Sequence, residues 1–314
     1  MSLISLLPEL RLRIIYMACT YSKEDSQTLM SLTLTSRAFN IFMSIHRASI
    51  IEHYTKIEKN DNCTWYLLYN QKHRDNDLPA EIWVEGSQFW YQHNQRHRDN
   101  DLPAEIWANN DQFWYQRDQL HRDNDLPAVI YADGSRSWYQ LAVQQRDNDL
   151  PAEIWADGSQ FWYQHGQKHR DNDLPAAIYA NGTQRWYQHG QRHRDNDLPA
   201  EIRANGTRLW YQHDRLHRDN DLPTVIWADG SQFWYQHDRQ HRANDLPAVI
   251  WASGLLFWYR HGQRHRDNDL PALICDDGTR CRYQRGRLHR DNDLPAVIRA
   301  DGTVEYWVNG EQTH

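Results

Sequence analysis

Histidine offers the first chemistry in this sequence, because most of its 18 copies lie at equivalent positions 24 residues apart. We call such a set of equivalent positions a column. One column comprises His73, His97, His121, His169, His193, His217, His241, His265 and His289. A second comprises His93, His165, His189, His213, His237 and His261. Such ladders could bind metal or respond to pH, but copies two strands apart would be separated by about 9.6 Å. We therefore expect turn histidines that face solvent, and no metal site.

A second candidate chemistry is the acidic triplet Asp-Asn-Asp, as at Asp75, Asn76 and Asp77. Its oxygen atoms are of the kind that Ca²⁺ prefers, but the triplet lacks the glycine and the distal glutamate of an EF-hand loop. Capping of a turn by Asx side chains, together with an Arg–Asp pair, explains the triplet better.

Catalytic chemistry finds no support, because a catalytic site is usually a single constellation and here each polar residue is multiplied along the chain. Cys275 and Cys281 are best explained as packing residues, and phosphate-binding glycine loops are absent. The sequence predicts neither an enzyme nor a cofactor.

Composition restricts the class of protein further. Hydrophobic residues make up 39% and charged residues 25%, which is globular, and the net charge of -7 offers no basic field for nucleic acid. Four cysteines give no disulfide framework, so a reducing compartment fits. The N-terminal apolar stretch contains charges and no cleavage site follows it, so we expect a cytoplasmic protein without a signal peptide or transmembrane helix.

The chemistry-bearing columns are produced by an internal repeat. Proline occurs at 24-residue intervals ten times, from Pro79 to Pro295. A degenerate half-unit, Trp65 to Lys72, precedes the first full unit. We therefore predict two domains, a helical one at 1–60 and a repeat array at 61–314.

Each repeat reads as a β-hairpin. In the repeat 145–168, the runs Pro-Ala-Glu-Ile-Trp-Ala and Gln-Phe-Trp-Tyr-Gln favour strands, and Asp-Gly-Ser between them favours a tight turn. A second turn leads to the next repeat. The predicted fold is mainly β with a small α N-terminal domain, in which ten tandem 24-residue hairpins form an elongated antiparallel meander.

Two columns vary together. The first reads Trp83, Trp107, Tyr131, Trp155, Tyr179, Arg203, Trp227, Trp251, Cys275 and Arg299. The second reads Phe89, Phe113, Ser137, Phe161, Arg185, Leu209, Phe233, Phe257, Cys281 and Glu305. Every Trp in the first column is matched by Phe in the second, and Arg is matched by Glu in the last repeat. Cross-strand neighbours behave in this way, although recent duplication would also copy both residues. We predict direct cross-strand partners around an Asp-Gly-Ser/Thr loop.

Strand alternation then separates two faces of the predicted sheet. The columns of Leu78, Ala80, Ile82 and Trp90 should form the packed face, and the opposite face should be partly exposed. An exposed aromatic stripe of that length would be a binding surface. The residues predicted to bind a target are Trp83, Phe89, Trp107, Phe113, Trp155, Phe161, Trp227, Phe233, Trp251 and Phe257.

The array resembles MORN repeats of the looser variant class, which are hairpins of about two dozen residues with aromatics around a glycine turn. The step Tyr163-Gln164-His165-Gly166 carries this resemblance. The usual Tyr-x-Gly-x-Trp core with a following Gly-x-Gly is not reproduced.

The first sixty residues have helical periodicity, as in Leu6, Leu7, Leu10, Ile14 and Ile15. They resemble an F-box, which opens with Leu-Pro-x-Glu-Leu and closes with Arg-x-Phe. Here Leu7-Pro8-Glu9-Leu10 is one residue short, and Arg37-Ala38-Phe39 closes the motif. The resemblance implies binding to a Skp-type adaptor of a cullin–RING ubiquitin ligase, and the expected anchors are Leu7, Pro8, Leu10, Ile14 and Leu32. Alternatively, these residues only cap the edge of the array.

The combination of both motifs is similar to repeat proteins of large DNA viruses of amoebae, which would place the chain in the host cytoplasm. The leading hypothesis is a non-enzymatic, F-box-type adaptor that recruits an unknown target protein through the array. One alternative is a scaffold that binds protein or membrane lipid headgroups without a ligase. Another is a glycan-binding aromatic array, since Trp-Tyr hairpin repeats also occur in choline- and glucan-binding surface proteins. No nucleic-acid partner is expected.

Overall fold

The computed structural model describes residues 55–68 and 70–313, and all regular structure in these residues is β-strand. Two compact units divide the chain, Met1–Gln119 and Leu120–His314, so the division lies inside the repeat array. The predicted helical domain lies almost wholly outside the described residues, and its boundary at residue 60 stays a prediction. No helix among the described residues is long and apolar enough to cross a membrane.

Each repeat contains two short hairpins rather than the single hairpin predicted. In the repeat 145–168, Glu153–Ile154 pairs with Gln160–Phe161, and Tyr163–Gln164 then pairs with Gln167–Lys168. We call the first pair the tip hairpin and the second pair the return hairpin. The run Gln-Phe-Trp-Tyr-Gln is therefore divided between two hairpins.

The tip hairpins have the same form in all ten repeats. Their first strands are Glu81–Trp83, Glu105–Ile106, Val129–Ile130, Glu153–Ile154, Ala177–Ile178, Glu201–Ile202, Val225–Ile226, Val249–Ile250, Leu273–Ile274 and Val297–Ile298. Their second strands are Gln88–Phe89, Gln112–Phe113, Arg136–Ser137, Gln160–Phe161, Gln184–Arg185, Arg208–Leu209, Gln232–Phe233, Leu256–Phe257, Arg280–Cys281 and Val304–Glu305.

The return hairpins are equally regular. Their first strands are Tyr91–Gln92, Tyr115–Gln116, Tyr139–Gln140, Tyr163–Gln164, Tyr187–Gln188, Tyr211–Gln212, Tyr235–Gln236, Tyr259–Arg260, Tyr283–Gln284 and Trp307–Val308. Their second strands are Gln95–Arg96, Gln119–Leu120, Val143–Gln144, Gln167–Lys168, Gln191–Arg192, Arg215–Leu216, Arg239–Gln240, Gln263–Arg264, Arg287–Leu288 and Glu311–Gln312.

A buried tryptophan causes the division into two hairpins. Trp162 donates its backbone N–H to the carbonyl oxygen of Ala176 in the next repeat, at 2.8 Å, and its own carbonyl oxygen accepts the N–H of His169 at 3.1 Å. The two backbone groups of Trp162 thus belong to different ladders. The chain leaves the tip hairpin at this residue and enters the return hairpin.

Tip hairpins of successive repeats pair with each other, which confirms an antiparallel meander of repeated hairpins. In the second unit, for example, Phe161 lies opposite Glu153 of its own repeat and Ala177 of the next. In the first unit the meander begins with two longer strands, β1 (Thr55–Lys59) and β2 (Cys63–Leu68). All five residues of β1 are exposed.

The turns depend on positive φ angles. At the tip, Gly158 has φ +90° and donates its N–H to the Trp155 carbonyl, while Trp155 donates to the Ser159 carbonyl, both at 2.9 Å. This is a three-residue loop with glycine in the left-handed position. The Asp-Asn-Asp segment turns through Asn172 and Asp173, which have φ 59° and 55°, values that Asn and Asp tolerate better than most residues.

Burial confirms one part of the predicted packed face and contradicts another. The Ala80 column is fully buried, and every Trp of the Trp90 column is at most 6% exposed. The Leu78 column, in contrast, is 38–43% exposed, because each Leu closes the Asp-Asn-Asp turn and lies outside the strands. The opposite face also packs: one cluster joins Leu209, Val225 and Phe233 of tip hairpins to Tyr211 of a return hairpin.

Candidate recognition surface on the repeat array

A column of largely exposed aromatic side chains lies where the first tip strand ends. Trp155 is typical, with 43% of its surface exposed. The exposed members are Trp83, Trp107, Tyr131, Trp155, Trp227 and Trp251. Tyr179 occupies the same column and is half-buried. We call these seven residues the aromatic row.

Carboxylates in the strand hold several of the indole rings in place. Trp155 Nε1 donates to Glu153 Oε1 at 2.7 Å, and Trp83 Nε1 donates to the buried Glu81 at 2.9 Å. The other oxygen of Glu153 accepts the hydroxyl of Tyr163 at 2.9 Å. Burial, together with the charge of Glu153, raises the pKa of Tyr163, so this hydroxyl remains a donor. The exposed rings of Trp83 and Trp155 are therefore held from below.

The predicted direct pairing of the Trp and Phe columns is wrong. Trp155 lies opposite Ser159, and Phe161 lies opposite Glu153, because the loop is Ala-Asp-Gly and begins one residue earlier than predicted. The two rings are diagonal neighbours on one face, with centroids 4.7 Å apart. Diagonal contact still explains why the two columns vary together.

The Phe column is consequently buried beneath the row instead of exposed with it. Phe161 is only 1% exposed, and its ring also contacts Tyr179 of the next repeat, with centroids 5.5 Å apart. Of the Phe residues predicted to bind a target, the buried ones are Phe89, Phe161 and Phe233, and the half-buried ones are Phe113 and Phe257.

Arginine and cysteine interrupt the row. Arg203 replaces the aromatic ring and donates Nε to Glu201 at 2.9 Å, as an indole would. Arg299 in the last repeat pairs with Glu305, the residue that varies together with it. Cys275 and Cys281 are free thiols whose pKa values are raised by burial, which fits packing residues.

Buried glutamates are the functional residues that sequence reasoning missed. Glu105 is 5% exposed and accepts Arg96 Nη1 at 2.8 Å, and Glu201 is 1% exposed and accepts Arg185 Nε at 3.0 Å. Each carboxylate lies among aromatic rings and cations, with Arg96 coming from a return hairpin and Arg185 from a tip hairpin. Unpaired, a buried carboxylate would be strongly destabilising.

The sequence does contain a signal for these buried glutamates, in a second pair of columns that vary together. The residue nine positions earlier in the chain varies with the Glu column. Where the later residue is Glu, the pairs are Lys72–Glu81, Arg96–Glu105, Gln144–Glu153 and Arg192–Glu201. Where the earlier residue is Leu, the pairs are Leu120–Val129, Leu216–Val225 and Leu288–Val297. The remaining pairs depart from this pattern: Lys168–Ala177, Gln240–Val249 and Arg264–Leu273. Lys168 Nζ lies 4.8 Å from the centre of the Phe161 ring.

The opposite end of most repeats carries a clamp between neighbouring repeats, made of Arg170, Trp162 and Asp149 in one example. The Arg170 guanidinium lies 3.9 Å from the centre of the Trp162 ring and bonds both oxygens of Asp149 at 2.7 Å. These hydrogen bonds lower the pKa of Asp149. Trp162 Nε1 donates to the Asp149 carbonyl at 3.0 Å. The predicted Arg–Asp pair is thus confirmed.

Clefts of about 190 and 290 Å³ lie beside two of these clamps. Their charged lining groups are already engaged: His169 with Asp171, for example, and Arg194 with Asp173. The aromatic row therefore offers more unengaged surface than the clefts do.

The two histidine columns meet in stacked pairs. His169 and His189 have ring centroids 5.2 Å apart, and His241 and His261 have theirs 4.8 Å apart. The first member of each pair is half-buried rather than facing solvent as predicted. Among the described residues, no group of three or more His, Cys, Asp or Glu is arranged to hold a metal ion.

The predicted adaptor anchors Leu7, Pro8, Leu10, Ile14 and Leu32 lie outside the described residues. No family model matches the chain, and no curated protein matches it. The tandem hairpins in an antiparallel meander are compatible with a MORN-like array, while the F-box and viral resemblances stay predictions.

Proposed function

We propose that this chain is a non-enzymatic interaction protein, in which the aromatic row recruits a target protein and the F-box-like segment binds a Skp-type adaptor. The adaptor would connect the target to a cullin–RING ubiquitin ligase. The array supports the first half of this proposal, and the motif at Leu7–Leu10 and Arg37–Phe39 supports the second.

The observation that carries the proposal is the exposure of the tryptophans in the aromatic row. Trp155 and Trp227 are 43% and 37% exposed, whereas the clamp tryptophans of the same repeats, Trp162 and Trp234, are buried. Tryptophan is enriched among residues that dominate protein–protein affinity. Because Glu153 already orients the Trp155 ring, little side-chain entropy would be lost when a partner covers it.

Repetition supports a binding role over a catalytic one. Within each unit the row recurs with the same local geometry, and recurring contacts suit a target that is bound at several points. The exposed carboxylates at the tips, such as Asp157 and Asp229, disfavour anionic lipid headgroups as the ligand.

A direct binding experiment tests the adaptor half. The full chain, the Pro8→Ala/Leu10→Ala variant and the Trp155→Arg/Trp227→Arg variant are each mixed with a purified Skp-type adaptor. We expect the first and third to bind and the second to lose binding while its circular dichroism is unchanged. If no form binds, the ligase connection is wrong, and a plain scaffold remains.

Proximity labelling in eukaryotic cells tests the target half with the same three proteins. Proteins labelled by the full chain and by the Pro8→Ala/Leu10→Ala variant, but not by the Trp155→Arg/Trp227→Arg variant, are row-dependent targets. Identical labelling by all three would show that the aromatic row does not recruit.

A further inference from the structure

The repeat spacing of the aromatic row matches one polypeptide conformation. Each repeat adds two tip strands, and neighbouring strands are about 4.8 Å apart, so row members recur every ~9.6 Å along the meander. A polyproline II helix rises ~3.1 Å per residue with three residues per turn, or ~9.3 Å per turn. Successive row members would therefore meet every third residue of such a helix, on the same side.

The chemistry of the row fits this conformation as well. Polyproline II segments dock in grooves that aromatic side chains line, because proline rings pack on flat faces and the helix is already ordered. Tyr131, Trp155 and Tyr179 are three consecutive row members within the second unit. The buried ring of Phe161 supports both Trp155 and Tyr179 from below.

The charge at the hairpin tips indicates which other side chains the bound peptide should carry, besides proline. Asp133 and Asp157 lie two residues after Tyr131 and Trp155 and are exposed. Hydrogen bonds from Ser159 lower the pKa of Asp157, so its carboxylate is charged at neutral pH. Nearby Arg136 lies on the opposite face by strand alternation. The tips therefore favour cations.

The row also has a defined end. At Tyr179 the tip residue is Asn181, and Arg185 donates Nη1 to the Tyr179 hydroxyl at 2.7 Å. In the next repeat Arg203 replaces the aromatic residue. A cationic ligand would therefore be limited to the segment centred on Trp155, with two of its positive charges beside Asp133 and Asp157.

We propose that the segment Tyr131–Trp155–Tyr179 binds a proline-rich peptide in the polyproline II conformation that carries Lys or Arg at every third position. The proposal rests on the proposed recruiting function and names the chemistry of the recruited protein. About nine residues would span the three repeats.

The test measures fluorescence anisotropy of a labelled peptide of three Pro-Pro-Arg triplets with the full chain. A peptide of three Gly-Ser-Arg triplets has the same charge without the preformed helix, and three Pro-Pro-Glu triplets reverse the charge. We expect the first peptide to bind at least tenfold more tightly than either control. Equal binding of the two Arg peptides would overturn the proposal, since only charge would then matter.

The chain supplies folding-compatible variants. In Trp155→Arg the new guanidinium would pair with Glu153, as Arg203 pairs with Glu201, and we expect about tenfold weaker binding. Asp157→Asn reproduces the tip of Asn181, whose Oδ1 accepts the N–H of Thr183 two residues on; we expect severalfold weaker binding and a smaller salt dependence. Trp155→Tyr should bind nearly normally, as should the control Leu174→Ala at an exposed position outside the row.

Two further outcomes would overturn the proposal. Unchanged peptide binding by Trp155→Arg would place the peptide elsewhere, and competition by a cello-oligosaccharide alone would identify a glycan site. Failure here is distinguishable from failure of the recruiting function. If the peptide does not bind but row-dependent targets are still labelled in cells, recruitment stands and only this partner chemistry is wrong.

Discussion

The two ends of each repeat are built from aromatic residues, yet they behave differently. At the clamp end, Arg–Trp stacking recurs at 3.8–4.0 Å in seven repeats of the described part. At the tip end, the column that contains Trp155 is occupied by Trp, Tyr, Arg or Cys. The clamp tryptophans are buried, and the tip tryptophans are exposed.

This difference separates assembly from recognition. The clamp joins one repeat to the next, since Arg170 bonds Asp149 of the preceding repeat and the Pro175 carbonyl of its own. A change there would affect two repeats at once. A tip side chain contacts solvent on one side, so substitutions alter the surface with little effect on the assembly.

The largest expected effect comes from removing a clamp tryptophan. Trp162→Ala should destabilise the second unit by about 3–5 kcal/mol, because a buried indole, its hydrogen bond and the stacked Arg170 are lost together. The matched variant Trp155→Ala should cost about 1 kcal/mol. Urea denaturation followed by circular dichroism compares the two. Equal costs would contradict the separation of assembly and recognition.

Breaking the buried ion pair beneath the row should have the next largest effect. Arg96→Leu leaves the carboxylate of Glu105 without its cation and should cost about 3 kcal/mol. The double variant Arg96→Leu/Glu105→Val reproduces the natural pair Leu216–Val225 and should recover most of this loss.

A double-mutant cycle in urea measures the coupling between the two residues. If the double variant were as unstable as Arg96→Leu alone, the two columns would vary together through duplication and not through contact. The cycle therefore tests whether the missed glutamates and their partners are structurally linked.

The sequence predicted the repeat period, the glycine tip turn and the buried Ala and Trp columns, because each depends on local propensity. It did not predict the division at Trp162, where one residue serves two ladders. Nor did it reveal the buried position of Glu105, because strand alternation alone does not show which cation lies beside this carboxylate. That partner, Arg96, arrives from the return hairpin before it.

One repeat departs from the clamp pattern and offers a gain of stability. Arg282 replaces the clamp tryptophan, and its Nη1 is buried without a hydrogen-bond partner. Burial, and then the neighbouring charge of Arg290, lowers the pKa of Arg282. Arg282→Trp should raise the free energy of unfolding by about 1–2 kcal/mol, because Arg290 gains a ring to stack on.

Hydrogen exchange of residues 283–313, together with the urea midpoint, checks this gain. The exposed neighbour Arg280→Trp serves as the control and should bring no stabilisation. A similar gain from both variants would mean that added hydrophobic surface, not the restored clamp, is responsible.

A smaller contrast exists among the histidines. His265 Nε2 lies 2.9 Å from Asp267 Oδ1, and similar pairs recur along the column. In one repeat Ala243 replaces the aspartate, so His241 lacks this carboxylate. His241 Nδ1 accepts the backbone N–H of His261 at 3.4 Å, as His265 Nδ1 accepts that of Arg285 at 3.5 Å.

The smallest expected effect is a pH dependence of stability at His241. Burial, and then the charges of His261 and Arg260, lowers the folded-state pKa of His241 below its ordinary value of about 6.5. The unfolded chain therefore takes up a proton first as pH falls, so stability is full above pH ~6.5 and is lost between that pH and the folded pKa. Ala243→Asp should raise the folded pKa and reduce this loss, as measured by NMR titration and by urea midpoints at two pH values. An unchanged His241 pKa in the variant would show that the aspartates of this column do not control the charge of their histidines.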